Sequence, residues 1–207
     1  MFGELANEKY KEYAGDILGS GHNLLEMVNN LLYFSKLSAG KITLYPEPLD
    51  AEDIFARVTE AQRAKAENAQ VSVVTDIVGR PVLEADPNGV IRILNGLLDN
   101  AIKFSDSGSS IYLKAMQRGD SGCEISVRDT GSGIAVAEQE KIFSPFRKSK
   151  ESEMQAMPGA GLGLATAKML TDLQGGTISV DSREGQGTCV TLVFYPHPHS
   201  SALANTG

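Results

Sequence analysis

Cysteine is scarce: the 207 residues contain only Cys123 and Cys189, both in strand-like runs. Two lone cysteines read as buried thiols of a reducing compartment, with no catalytic part. Positive charge is also short, with 19 Lys and Arg against 26 Asp and Glu and a net charge of -7. That balance argues against a nucleic-acid-binding face. No hydrophobic run approaches the length of a membrane span, and no signal peptide is visible. Apolar content of 42% is ordinary for a globular chain. The length suits one large domain, or a smaller one with a helical appendage.

Helical periodicity dominates the start. Over residues 8–37, Ile17, Leu24 and Leu31 repeat every seven positions beside a second row, Leu18, Leu25 and Leu32, with Val28 between them. Two adjacent rows make a wide apolar stripe suited to a multi-helix bundle. One helix cannot bury it, so it calls for a partner outside this stretch. Gly40 stands where a C-terminal glycine ends a helix. A short extended piece, Ile42 to Tyr45, and a turn at Pro46 and Pro48 follow. Asp50 is a good N-cap for a helix to about Asn68. Val71 to Val78 reads as a strand, and Asp86-Pro87 opens a helix that runs through Phe104.

Hairpins fill the second half. Ser110 to Met116 and Cys123 to Asp129 flank the turn Arg118 to Gly122. A short helix over 135–142 precedes a segment, 144–160, with no clean period and much charge, as in a mobile loop. Leu162 to Leu173 reads as a helix, and Thr177 to Asp181 pairs with Thr188 to Tyr195 around Glu184-Gly185-Gln186-Gly187. Residues 197–207 read as a frayed tail. The irregular alternation predicts an α+β layer fold, with helices on one face of a mixed sheet.

Two glycine clusters carry the chemistry. DTGSGI, Asp129 to Ile134, puts an acceptor beside glycines that let a backbone come close to a ligand; by itself it reads more readily as a plain turn. In GAGLGLA, Gly159, Gly161 and Gly163 lead into a helix, so that backbone N–H groups and the positive dipole end face an anion. No Gly-Lys-Ser/Thr follows, so this is not a P-loop. No strand feeds it directly, as a dinucleotide fold requires. Asn100, unfavourable in mid-helix, offers a carboxamide oxygen to Mg²⁺, and Lys103 a cation to phosphate; a surface asparagine and a solvated lysine are the plain alternative.

NAIKF, DTGSGI, IFSPF and GAGLGLA, in that order, resemble the N, G1, F and G2 boxes of sensor histidine kinases, and EGQGT, Glu184 to Thr188, resembles their last glycine box. Their ATP-binding domain belongs to the Bergerat family, shared with chaperone and gyrase ATPases. The likeness covers roughly residues 46–196. Upstream, the first helix with Ser35-Lys36 and Ala39-Gly40-Lys41 resembles the second helix of the dimerisation and phosphotransfer hairpin. The resemblance thus implies three parts: 1–45, one helix of that hairpin; 46–196, the catalytic domain; and the tail. It implies a fragment of a longer kinase, cytoplasmic or the cytoplasmic part of a membrane-anchored sensor.

It also implies roles. Asp129 would accept a hydrogen bond from the adenine amino group, with Gly131 and Gly133 bringing backbone to the base and Phe104 and Ile134 bordering it. Asn100 would hold Mg²⁺ and Lys103 the phosphates. Phe143, Pro145 and Phe146 would anchor a lid whose Arg147, Lys148 and Lys150 either meet phosphate or merely solubilise. Gly159, Gly161 and Gly163 would wrap the triphosphate of ATP, Leu162 and Leu164 would seat that loop, and Thr188 belongs to the last box. The product would be a phosphohistidine on the absent helix, passed to a response-regulator receiver domain, in a protein that dimerises through the hairpin and binds no nucleic acid. One departure stands out: Gly96 occupies the place of a family Asn, or of a water-activating Glu in related ATPases, and neighbouring Asn95 is expected to face elsewhere. His22 has no acid-Leu-Arg pattern beside it and reads as a surface or interface residue; His197 and His199 lie in the tail. Alternatives are a nucleotide-sensing or scaffold module without transfer, and a Bergerat ATPase.

Overall fold

The computed structural model describes residues 8–119, 122–147 and 160–195. Helix α1 spans Glu8–Ser38. It ends as its sequence predicts, with Gly40 in the left-handed region at φ 64 and the Lys41 N–H donating to Lys36 O. Strand β1 (Glu47–Asp50), α2 (Ala51–Ala69), β2 (Ser72–Val78), β3 (Val82–Ala85) and α3 (Pro87–Phe104) follow. Strands β4 (Ser110–Gln117) and β5 (Cys123–Arg128), the single turn α4 (Val136–Gln139), α5 (Gly163–Leu173), β6 (Thr177–Ser182) and β7 (Thr188–Phe194) complete the domain.

Five strands form one mixed sheet in the order β2-β4-β5-β7-β6. Only the β2–β4 pair is parallel, with Ser72 opposite Ser110 and Val78 opposite Met116. The period-2 alternation of β4 and β5 sends Ile111, Leu113, Ile125 and Val127 inward and leaves Tyr112 and Arg128 outside. Helices α2, α3 and α5 cover the inner face. Helix α3 supplies Val90, Ile93, Leu94, Leu97, Leu98 and Ala101 at helical spacing, all buried. Each of the Val, Ile and Leu side chains among them contributes roughly 1.5–3 kcal/mol on burial. This is the helix-on-sheet arrangement that the sequence predicts.

One junction departs from it. Residues Ile42 to Tyr45 form no strand, and Pro48 lies inside β1, opposite Glu84 of β3, in a separate two-stranded sheet. Proline is tolerated there because both strands of the ribbon are edges and Pro48 falls in a non-hydrogen-bonded pair, the bonded register being set by the Ala51 N–H on Pro81 O. Four-residue strands are also too short to show a period, so β3 carried no signal.

Asp86 locks this junction. It is buried; Oδ1 accepts from the Gly89 N–H at 2.7 Å and Oδ2 from the Tyr45 N–H at 2.9 Å, while Gln174 Oε1 accepts from the Asp86 N–H at 2.7 Å. One carboxylate thus caps α3 and ties down the chain leaving α1. Asp86→Ala should cost about 2 kcal/mol and lower the melting temperature by roughly 4–8 °C in calorimetry.

Among the described residues, helix α1 meets the domain through its C-terminal half. Leu37 is buried in the core and Phe34 meets the Phe146 ring edge-on at 6.2 Å. Earlier positions of its stripe are open, with Ile17 73% exposed. His22 is exposed on the same helix. No helix among the described residues is long and apolar enough to cross a membrane. Cys123 is buried and its thiol is pushed up to about 11, chiefly by desolvation, so it is inert as expected. Cys189 is only half-buried, because β7 turns that position to the outer face.

Candidate functional site

One face of α3 forms the wall of an open cavity of about 1130 Å³. Asn95, Asp99 and Lys103 lie on it at four-residue spacing, and Gly96 and Asn100 in the adjacent row. The expectation that Asn95 faces elsewhere is therefore corrected: both rows reach the cavity. Gln62 of α2, itself buried, donates through Nε2 to Asn95 Oδ1 at 3.1 Å and holds that amide in place. Its Oε1 has no hydrogen-bond partner. Lys65 of α2 pairs with Asp99. The spacing of Asn95, Asp99 and Lys103 was the available signal; nothing in sequence pointed to Gln62 or Lys65.

At one end, the turn after β5 meets the start of β7. Asp129 is 8% exposed, and its Oδ1 accepts from the Gly131 N–H at 2.9 Å and the Thr188 N–H at 3.1 Å. Desolvation raises its carboxyl above the ordinary value, against the pull of those two donors. Phe104, Gly133, Ile134 and Thr188 line the cavity around it.

Gly131 does not line the cavity. A Cβ there would stand 2.0 Å from Phe104 O, and one at Gly133 2.0 Å from Arg183 O. The close approach these glycines permit is to the protein's own backbone. Segments 129–134 and 182–188 are then stitched together: Asp129 N–H to Thr188 O, Gly185 N–H to Ser132 O, and Ile134 N–H to Ser182 Oγ.

The other end is the start of α5. Among the described residues no side chain caps that helix, and its first N–H groups, which lack intrahelical acceptors, lie at the cavity with the positive dipole end. Gly161, Leu162, Gly163 and Leu164 line it. A Cβ on Gly163 would stand 3.7 Å from Asn100 Nδ2, and one on Gly96 3.9 Å from Gly163 O, so the glycine turn crosses α3 between 96 and 100. Lys103 extends over the Phe104 ring at 5.4 Å.

Arg147 also lines the cavity. The loop base is pinched, with the Phe146 N–H donating to Gly161 O at 3.0 Å and Phe146 at φ 61. Gly161, at φ 67, allows this, since a Cβ would fall 2.6 Å from Arg147 O. Lys148, Lys150 and Gly159, like the tail and its two histidines, lie outside the described residues.

So Asn100, Asp129 and the 161–164 turn share one cavity, with a buried carboxylate at one end and a helix N-terminus at the other. Comparison with known proteins gives the family. Residues 85–199 match the family of histidine kinase-, DNA gyrase B- and HSP90-like ATPases, and the chain belongs to it. Within it the domain is of the histidine-kinase catalytic type. The chain is 36% identical over 203 residues to the non-motile and phage-resistance protein of Caulobacter vibrioides, covering 97% of this chain and 24% of that protein. It is 34% identical over 194 residues to the circadian input-output histidine kinase CikA of Synechococcus elongatus, covering 92% of this chain and 26% of that kinase. Full-length ShkA, solved in complex with AMPPNP, superposes with a TM-score of 0.77 at 28% identity, over 93% of this chain and 41% of that one. The chain thus spans about a quarter of the length of the curated relatives it matches.

Proposed function

We propose that the cavity binds Mg-ATP and presents its γ-phosphoryl group to a histidine carried on another helix of the longer protein. The observation that carries this is the polarity of one cavity: an acceptor for the adenine amino group at Asp129, and anion donors at Gly161 to Leu164, with Asn100 between them. Both backbone donors to Asp129 engage Oδ1, which leaves Oδ2 for the base. Asn100 faces the glycine turn, where a cation bound to phosphate oxygens would sit. Among the described residues no group of three or more His, Cys, Asp or Glu could hold a metal. Mg²⁺ keeps waters and phosphate oxygens as most of its ligands, so a single carboxamide oxygen from Asn100 would serve as its contact with the protein. When bound, it neutralises charge developing on the transferred group. The chain's own work is positioning: the two ends fix the nucleotide's direction, and Lys103 and Arg147 add cations along it.

In this reading residues 46–196 form the catalytic domain, α1 is half of a helical hairpin through which the longer protein dimerises, 197–207 form a flexible tail, and the phosphoryl group passes on to a receiver-domain aspartate. A cytoplasmic location belongs to the same proposal. Titration with Mg-ATP and Mg-GTP tests the site: ATP should bind in preference. Asn100→Ala should weaken Mg-ATP about tenfold, and chelating the metal should make wild type and variant alike. Equal affinity for both nucleotides removes the proposal. Gly96 favours a second reading, a nucleotide-sensing module without transfer, because it places no side-chain base beside the glycine turn. Labelled ATP and the longer protein, histidine included, separate the two: binding without labelling selects the module.

A further inference from the structure

The cavity extends past the glycine turn. Arg92 lines it one helical turn before Gly96 and two before Asn100, ~6 and ~12 Å away along α3. The nucleotide reading gives this residue nothing to do. Its guanidinium stands 3.6 Å from the centroid of the Tyr33 ring, and Nη2 donates to Asn30 Oδ1 at 2.9 Å. Both partners belong to α1, and both are uncharged. The carboxylates that line the same wall are turned to another cation: Asp99 pairs with Lys65, and Glu26 also acts on Lys65. Among the described residues Arg92 has no carboxylate partner. Burial lowers its pKa from the ordinary value, with only Tyr33 acting the other way.

A partly desolvated guanidinium is normally paired with an anion. Here two neutral side chains fix its orientation, one by stacking and one by a hydrogen bond, and its remaining N–H donors form a planar fork suited to phosphate oxygens. Gly96 carries no side chain on the stretch of α3 between Arg92 and Asn100. A nucleotide whose base sits at Asp129 and whose phosphates pass the glycine turn is directed along α3 towards this residue.

We infer that Arg92, aimed by Tyr33 and Asn30 of α1, forms a phosphoryl-group subsite at the end of the cavity remote from Asp129. The inference rests on the nucleotide reading above. The group held is either the terminal phosphate of the nucleotide or a phosphoryl group that has left it. Because Tyr33 and Asn30 belong to α1, the subsite exists only while that helix is docked on the domain.

Calorimetric titration of the whole chain tests this, with Mg-ATP, with Mg-ADP, and with inorganic phosphate added to chain saturated by Mg-ADP. If the subsite takes the nucleotide's own terminal phosphate, Arg92→Gln weakens Mg-ATP about tenfold and leaves Mg-ADP within about twofold. If it takes a separate phosphoryl group, Arg92→Gln leaves both nucleotides unchanged and abolishes phosphate binding to the Mg-ADP form. Tyr33→Leu keeps the cation but removes its platform, and should reproduce the same selective loss in smaller degree; Tyr33→Phe should not. These Tyr33 variants decide the matter if Arg92→Gln does not fold. The inference is overturned if the variants match wild type in all three titrations, or lose Mg-ATP and Mg-ADP equally. A wild-type chain that binds no nucleotide removes the nucleotide reading and this inference together; nucleotide binding without the selective loss removes this inference alone.

Discussion

Asp129→Asn should cut the affinity for Mg-ATP about 100-fold while leaving the melting temperature unchanged or higher. The exchange is nearly isosteric and keeps Oδ1, which accepts from the Gly131 and Thr188 N–H groups. It turns Oδ2 from an acceptor into an amide donor, which then opposes the donor amino group of adenine. The stability arm follows from the direction of the pKa shift. Desolvation raises the Asp129 carboxyl in the folded chain, so the native state holds a proton more readily than the unfolded state. The ionised form is therefore a burden on the fold above that pKa, relieved as pH falls through it, and an amide carries no such burden. Binding runs the other way, because the base needs an acceptor. Affinity for Mg-ATP should begin to fall on acidification at a higher pH than an ordinary aspartate would set, and the Asn variant should lack that step. Melting and calorimetry across the acid range measure both arms; a variant that binds ATP like wild type, or loses affinity only by unfolding, contradicts the assignment.

That the site was legible at all follows from where its chemistry sits in the chain. Asp129, Asn100 and the glycines before α5 each occupy positions where residue type is set by local backbone needs or by a ligand, and such positions stand out from an apolar period. Helix α3 shows both signals together: Asp86 and Pro87 fix its start, and Leu94, Leu97, Leu98 and Ala101 fix its buried face, so the exposed row with Asn100 follows by elimination. What escaped depends on contacts between distant segments. Gln62 matters because Asn95 lies opposite it, 33 positions later, and no local pattern encodes that pairing. Arg92 reads as an ordinary helix cation until α1 places Tyr33 under it. Strand β1 escaped for a similar reason. Pro48 signals a turn locally, and only β3 as its partner makes a strand of it. The glycines of DTGSGI were found, yet the close approaches made at Gly131 and Gly133 are to Phe104 O and Arg183 O, partners a sequence does not display.

The same distinction between local and distant demands separates two glycines in EGQGT. Gly185 and Gly187 both adopt positive φ, 75 and 83. A Cβ at Gly185 would meet open space, so Gly185→Ala should cost only the left-handed conformation, about 1 kcal/mol, or roughly 2–4 °C in melting temperature. At Gly187 a Cβ would stand 2.2 Å from Asp129 O and 2.7 Å from Thr130 Cα. Neither atom can move alone: the Asp129 N–H is bonded to Thr188 O, and its Oδ1 takes the Thr188 N–H in return. Gly187→Ala must push β7 away from the turn that carries Asp129. It should cost at least about 3 kcal/mol, or roughly 6–12 °C. The protein that remains folded should bind Mg-ATP more weakly, because the carboxylate is displaced with the backbone. Gly185→Ala should leave nucleotide affinity unchanged. Equal melting losses in the two variants would mean that the contact between Gly187 and Asp129 does not hold the two halves of this pocket together.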